Sequence, residues 1–505
     1  MSSSDPHRNP AEEGDDLEPE LLAEDDVQEI LDGEDAEGDV AMGSDDEREE
    51  ILLENDSIAY FDGHKDSVFA IAQHPLYPSL IATGGSEGED EDAPGKGYVI
   101  DTSAAVSRPV LPPSYNSDPS SAQSPQTIAL QSLFSIDGHS DSVNAIAFTL
   151  PRGEFLVSGG MDGRVRVHAV TATPTPSGAV SAQFKFLAES RETEEVIWLA
   201  PCPSPDYPNT IAYGASDGSV WVLTLDAADP SNPIQIVQTY FLHTAPCTAG
   251  AWTPDGQLLA TVSEDSSLHV YDVWGAAAAK SLVLDNGQTV VSLTGADQRF
   301  AVEGGLYSLA ISPSGGILAA GGAAGAIRII SLPRLSPPAT SSSAQTQAGG
   351  TILASLAVQS DSVESLAFSP SPATPLLAAG SVDGSIAVFD AARSFAVRRH
   401  IRGAHDGESV VKVDFVRAAT APGTAGWLLT SCGLDGVVRR WDLRGATAGG
   451  GQAAAAAAAT AGLVKEWRGH RGGGAGGGVL GFVQGETGER IVTAGDDGLV
   501  LVFEA

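Results

Sequence analysis

The chain has little cysteine, little positive charge and no long apolar run, and each shortage removes a class of function. Its 505 residues include three cysteines, Cys202, Cys247 and Cys432, which show neither disulfide nor metal spacing. An odd few suits a reducing compartment, so the expected location is the cytoplasm, with the nucleus as a second compartment. No apolar run reaches the roughly 18 residues of a membrane span, and no signal peptide is expected. Lysine and arginine number 27 against 66 aspartates and glutamates, a formal net charge of −39, which argues against a basic stripe for nucleic acid. Gly472 to Gly481 is glycine-rich but lacks the GxxxxGK[ST] pattern of a phosphate loop. The histidines are scattered without ligand spacing, so no metal and no cofactor is expected.

The negative charge is unevenly spread. Before Ser57 stand 23 acidic side chains and two arginines, a net −21 that leaves −18 to the remainder. Residues 1–56 are therefore expected to be a disordered acidic tail, kept open by self-repulsion. Leu17, Leu21, Leu22, Val27, Ile30 and Leu31 give it a faint helical stripe. It is either a solvating tail or a lure for a basic partner.

What the chain has in abundance is a repeated unit, least degraded between Gly403 and Asp442. Val410 to Val416, Trp427 to Ser431 and Val437 to Trp441 are apolar at every second position, the period of a β-strand. Asp435-Gly436 between the last two is a hairpin-turn signal. A small antiparallel sheet ending in Trp-Asp and opened by a histidine resembles a WD repeat. Turn dipeptides with the same flanks recur at Asp162-Gly163, Asp217-Gly218, Asp265-Ser266, Asp383-Gly384 and Asp497-Gly498. Weaker copies lie at Glu87 and at Ala324-Gly325. The expectation is an all-β fold, an eight-bladed WD-repeat β-propeller over residues 57–505.

Strand arithmetic implies how such a ring closes. Ser57 to Phe61 has no preceding blade to join, and the chain ends after the third strand of its last unit. Pairing these two removes an open sheet edge. Three low-complexity stretches, 102–127, 333–350 and 445–462 with its run of alanines, are expected to be flexible surface insertions.

His405, Ser431, Asp435 and Trp441 match the hydrogen-bonded tetrad of a WD repeat. A Ser, a His and an Asp together also resemble a hydrolase triad. The set recurs in part as His139, Ser158 and Asp162, as His243, Thr261 and Asp265, and as His470, Thr493 and Asp497. No active site needs several copies, so these are read as structural networks and no catalytic residue is assigned.

In WD propellers the loops before the first strands and the turns between second and third strands share one face. Here that set carries Asp66, Asp141, Glu194, Glu195, Asp361 and Glu408 before first strands, Glu264 and Asp496 beside turn aspartates, and the insertion 87–92. Clustered carboxylates steer and bind basic segments. Trp198, Tyr213 and Trp221 are either aromatic anchors beside them or the filling of blade 3, and Trp221 is read as filling before anchor.

Ser57-Ile-Ala-Tyr-Phe-Asp-Gly-His-Lys-Asp-Ser-Val-Phe-Ala-Ile-Ala-Gln-His-Pro75, Glu194-Glu-Val-Ile-Trp-Leu199, Tyr213-Gly-Ala-Ser-Asp-Gly-Ser-Val-Trp221 and Val492-Thr-Ala-Gly-Asp-Asp-Gly-Leu-Val-Leu-Val-Phe-Glu504 resemble the fungal ribosome-assembly WD-repeat proteins related to angio-associated migratory cell protein. The resemblance covers the two ends and the third blade. The chain itself is expected to be a monomer and not an enzyme, and the resemblance implies a chaperone that captures the basic amino terminus of a large-subunit ribosomal protein of the L ten type. It would hold that protein until it joins the pre-60S particle, touching neither membrane nor nucleic acid directly. Two other readings stay open. Trp441-Asp-Leu-Arg444 fits the W-D-x-R pattern of cullin-ligase substrate receptors, and an acidic propeller also suits histone tails.

Overall fold

In the computed structural model the described residues are 55–88, 90, 93–105, 127–175, 179–335, 349–418, 426–445, 462–472 and 476–505. The expected acidic tail lies outside them up to residue 54, as do the centres of the three insertions, the alanine run included. Asn55 and Asp56, assigned by sequence to the tail, belong to the folded part: Asp56 N donates to Arg468 O and Arg468 N donates to the Asp56 carboxylate.

Among the described residues the strands form eight sheets, seven of four strands and one of five, each running from an inner to an outer edge. The inner strands are Ala70–Gln73, Val143–Phe148, Val196–Pro201, Cys247–Trp252, Leu306–Ile311, Val363–Phe368, Val410–Phe415 and Val479–Val483. Each packs against the inner strand of the next blade, and the last packs against the first, so the sheets make a closed eight-bladed propeller.

The second strand of each blade lies between two sheets and is buried along nearly its whole length, as in Leu80–Ser86, Phe155–Gly160 and Leu376–Ser381. Glycine there permits close approach of the neighbouring blade. A β carbon on Gly84, Gly159, Gly321 or Gly380 would run into the side chain of Val143, Val196, Val363 or Val410 respectively, the valine that opens the next blade's inner strand. This contact, repeated at four of the eight junctions, sets how closely those blades approach.

Closure uses more chain than strand counting suggests. Ala59–Phe61 pairs antiparallel with Val500–Glu504 as the outer strand of the last blade. Ile128–Ala129, just beyond the first insertion, then pairs parallel with Ala59–Tyr60 and makes that sheet five-stranded. Only afterwards does the chain supply the outer strand of blade 1, Ser132–Ile136. Ile58, Ala59 and Phe61 are buried with Val492, Val500 and Val502, so the closing strand is held by side chains as well as by its ladder. The insertion margins are also built in: Thr102–Ala104 is a 3-10 turn whose Thr102 carbonyl accepts from Arg490 Nη1 at 2.9 Å.

Candidate functional site

One backbone hydrogen bond, present in all eight blades, assembles the candidate face. The amide at the end of the second strand donates to the carbonyl of the residue just before the first strand. The pairs are Ser86–Ser67, Met161–Ser142, Ser216–Glu195, Glu264–Pro246, Ala323–Gly305, Val382–Ser362, Leu434–Ser409 and Asp496–Gly478, at 2.9–3.3 Å. Turns also lean on the next blade's loop: a β carbon on Gly163 would strike the Thr193 and Glu194 carbonyls, and one on Gly498 would reach that of Asp66. Loops and turns thereby share one face of the ring.

The acidic residues occupy repeated positions in this frame. Asp66, Asp141, Glu194, Asp361 and Glu408 each stand one residue before the accepting carbonyl, Glu195 supplies that carbonyl in blade 3, and Glu264 and Asp496 supply the donating amide. Glu194, Glu264, Asp361 and Glu408 are exposed, while Asp66, Asp141, Glu195 and Asp496 are half-buried. Neutral donors orient several of them. Ser142 N donates to Asp141 Oδ1 at 2.6 Å, Ser362 N to Asp361 Oδ1 at 2.7 Å, and Ser67 Oγ to Asp496 Oδ1 at 2.6 Å. Among the described residues none of these eight carboxylates is in a salt bridge. Within the insertion 87–92, Glu87 is paired with Lys65 at 3.2 Å, Asp90 is exposed, and residues 89, 91 and 92 lie outside the described set.

Further groups on this face had not been singled out by sequence. In seven blades the inner strand carries a β-bulge at its second residue, the positions being Asn144, Ile197, Thr248, Tyr307, Glu364, Val411 and Leu480. A bulge kinks a strand and re-aims a side chain. Glu364 is exposed there, and its carboxyl is pushed above the usual range, first by burial and then by Asp361. Tyr307 beside it is raised by burial, then by Glu264 and Glu364. Glu264, Asp361 and Glu364 thus form one negative sector around the neutral Tyr307 phenol across blades 4 to 6. The legible signal was a charge inside an otherwise apolar inner strand.

Of the aromatic candidates, Trp198 and Tyr213 are packing residues and only Trp221 reaches toward this face. Trp198 Nε1 donates to Cys247 O at 3.0 Å, and its ring fills the space over Gly214 and Gly250, so it packs blade 3 onto blade 4. Tyr213 is buried. Trp221 is half-buried, with its Nε1 bonded to Ser219 Oγ at 2.9 Å.

The Ser, His and Asp sets are internal. Asp435 Oδ1 lies 2.8 Å from His405 Nδ1, Ser431 Oγ lies 2.8 Å from Nε2, and Trp441 Nε1 donates to Ser431 Oγ at 2.9 Å. Burial opposes the Asp435 charge, but bonds from His405 and Arg439 hold its carboxyl below the usual range. His139 joins Asp162 and Ser158 at 3.1 and 2.9 Å, and His470 joins Asp497 and Thr493 at 2.9 and 2.7 Å. The blade 4 set differs from expectation. His243 bonds Thr261 at 2.7 Å, but its Nδ1 meets Ser267 Oγ at 2.6 Å, leaving Asp265 3.9 Å away and bonded through Ser267 N. The extra hydroxyl two residues past the aspartate takes its place. Blade 1 has a further member, His64 bonded to Thr83 at 2.9 Å. Each of these bonded imidazoles is buried, which suits a structural role.

The model of the WD domain, G-beta repeat, matches residues 130–168, 234–272 and 350–390. The crystal structure of Chaetomium thermophilum Sqt1 shares 67% sequence identity, covering 90% of this chain and 98% of that one, with a TM-score of 0.77. A second structure of it, bound to the N-terminus of ribosomal protein L10, superposes with a TM-score of 0.76 over 90% of this chain and 100% of that one, at 66% identity. The ribosome assembly protein SQT1 of Saccharomyces cerevisiae is 28% identical over 311 residues, 59% of each chain, so this chain spans about three fifths of that relative's length. Human angio-associated migratory cell protein is 24% identical over 454 residues, 89% of this chain and 80% of that one. With two thirds of its residues shared over nearly the whole of a solved relative, and the same propeller beneath them, this chain belongs to the Sqt1 family of WD-repeat ribosome assembly proteins.

Proposed function

We propose that this chain is a dedicated chaperone for a large-subunit ribosomal protein of the L10 type, binding its basic amino-terminal segment on the carboxylate face and delivering it to the pre-60S particle. The carrying observation is that repeated positions around one face hold carboxylates with no cation of their own among the described residues. A nascent ribosomal protein has the complementary problem, cationic side chains without RNA. Carboxylates stand in for phosphates, pairing bidentately with arginines while rRNA later competes for the same groups. The Chaetomium relative crystallised with the N-terminus of L10 supports this occupant. The work is charge neutralisation by a binding scaffold rather than turnover, and the cytoplasm, where ribosomal proteins are made, is its natural place.

Arg444 offers the ligase-adaptor reading little. Its guanidinium is bonded to both oxygens of Asp442, a local pairing two residues away. The deciding experiment is affinity capture with the full chain from its own lysate at low and high salt. The expected result is one large-subunit ribosomal protein, released as salt rises. Recovery of histones or cullin adaptors in its place would overturn the proposal.

A further inference from the structure

Blade 3 replaces the polar tetrad with rings. Where blades 2 and 7 have Ser158 and Ser431 in the second strand, paired across the ladder with Arg166 and Arg439, blade 3 has Tyr213 paired with Trp221. The Tyr213 and Trp221 rings are parallel, 6.1 Å apart at 5°, and Trp221 meets Phe241 at 6.1 Å and 83°. Exposure rises along the series. Tyr213 is buried, Trp221 is half-buried and Phe241 is 66% exposed.

Phe241 opens the loop into blade 4, and a β carbon on Gly218 would strike the His243 and Ala245 carbonyls of that loop. The aromatic ledge therefore belongs to the carboxylate face. Exposed Asp217 stands in the adjoining turn and accepts from Ser219, the same hydroxyl that holds the Trp221 indole. Glu192, also exposed, occupies the position held by histidine in the neighbouring blades. Burial, then Glu192, then Asp217 hold the Tyr213 proton more tightly than usual, which places both carboxylates within electrostatic reach of the ladder. Neither is in a salt bridge among the described residues.

We propose that Trp221 and Phe241 form a side-chain subsite for one arginine of the bound basic segment, its guanidinium stacked on the rings and its N–H groups directed to Asp217. Arginine fits better than lysine because its planar, weakly hydrated cation stacks on an aromatic face and still presents donors at its edge. This rests on the chaperone reading and names a contact within it.

The test is titration of the full chain with a labelled peptide of the ribosomal protein's amino-terminal segment. If the unaltered chain does not bind that peptide, the chaperone reading itself fails. If it binds, Phe241→Ala is expected to weaken affinity about 2- to 30-fold with the salt dependence kept, and Phe241→Leu to recover little because it restores area without a π face. Asp217→Asn is expected to weaken affinity and flatten the salt dependence. Replacing peptide arginines by lysine one at a time, on the unaltered chain and on Phe241→Ala, locates the partner: one position loses affinity on the first and not on the second. A ledge variant that binds as well as the parent overturns the subsite. So does coupling of Phe241 to an apolar peptide residue and to no arginine. Because Phe241 is mostly exposed, its variants are expected to melt with the parent.

Discussion

Ser67 Oγ donates to Asp496 Oδ1 at 2.6 Å across 429 positions of sequence, so the two ends of the propeller meet on the carboxylate face itself. Integrity of the ring and geometry of the face are consequently linked at this seam. The strand that secures it, Ala59–Phe61, is flanked by Val500–Glu504 on one side and Ile128–Ala129 on the other. Ile58, just before it, is 3% exposed among Ile81, Ile100 and Val502. Ile58→Asp would bury an unpaired carboxylate there, at a cost of several kcal/mol. The expected outcome is a ring opened at the last blade, with an earlier melt and aggregation through the exposed edge of Val500–Glu504 in size-exclusion chromatography.

The tetrad of blade 7 is expected to respond differently. Ser431 is fully buried and its hydroxyl touches both His405 Nε2 and Trp441 Nε1. Ser431→Ala strands two ring nitrogens at once, for a loss of about 2–6 kcal/mol in chemical denaturation at roughly 1–3 kcal/mol per unpaired group. A peptide-binding assay on the variant that still folds should be unchanged, because neither ring faces the ligand. Loss of binding with stability intact would mean these groups are part of the recognition site.

Local patterning made the fold readable and made the site readable only in part. Alternation in Val363–Phe368 or Val410–Phe415 is a property of a few consecutive residues, and turn dipeptides such as Asp435-Gly436 punctuate it, so strands and their number follow directly. Asp66, Asp141 and Asp361 could be placed on a common face because each precedes a recognisable first strand. Trp198 could not be placed correctly. Its environment is set by Gly214 and by Gly250 of the next blade, a contact that sequence proximity does not encode. Phe241 was passed over for the opposite reason, since a phenylalanine after a strand reads as core until its exposure is known. Pairing of Ile128–Ala129 beside the closing strand likewise depends on where a long insertion returns.

Acid should destabilise the ring from two directions that add. Burial is the chief cause holding His64, His168 and His269 down to about 4 and His243 to about 3. For these groups the unfolded chain takes protons first, so stability falls as pH drops below the ordinary 6.5 and keeps falling until about 4, and for His243 until about 3. Asp162, Asp383 and Asp435 are held low, and Asp265 at about 2, by hydrogen bonds that outweigh their burial. Their contribution is present above the ordinary carboxylate range and is lost as pH falls through it. Thermal melts at constant ionic strength should therefore show Tm decreasing steadily from pH 7 to pH 3. His168 is a separable share. It holds the register position of Phe389 and Phe503 in blades 6 and 8 and meets Phe134 and Phe186 edge-on. Its Nδ1 has no hydrogen-bond partner among the described residues. His168→Phe is expected to flatten the curve between pH 6.5 and 4 while preserving the fold. An unaltered slope would show that His168 is not among the groups responsible.

Charge reversal on the face separates binding from folding most directly. Asp66, Asp141 and Glu195 each reach solvent and hold no cation among the described residues, so changing all three to lysine removes no ion pair from the ring. Surface changes of this kind alter stability by little, about 0.5 kcal/mol or less each. The ligand, however, would meet three positive charges where it expects negative ones, and like-charge contacts cost several kcal/mol. The triple variant should lose affinity for the basic segment by at least about 100-fold at low salt, and its residual binding should respond less to added salt. Glu486→Lys supplies the control. That carboxylate is exposed in the loop between the first two strands of blade 8, which opens on the opposite side of the ring from the second-to-third-strand turns. It adds the same kind of charge change to the chain and should leave affinity within about twofold. A loss from Glu486→Lys that matches the triple variant's loss per unit of charge changed would assign capture to overall charge. Loss confined to the triple variant assigns it to the loops that carry Asp66, Asp141 and Glu195.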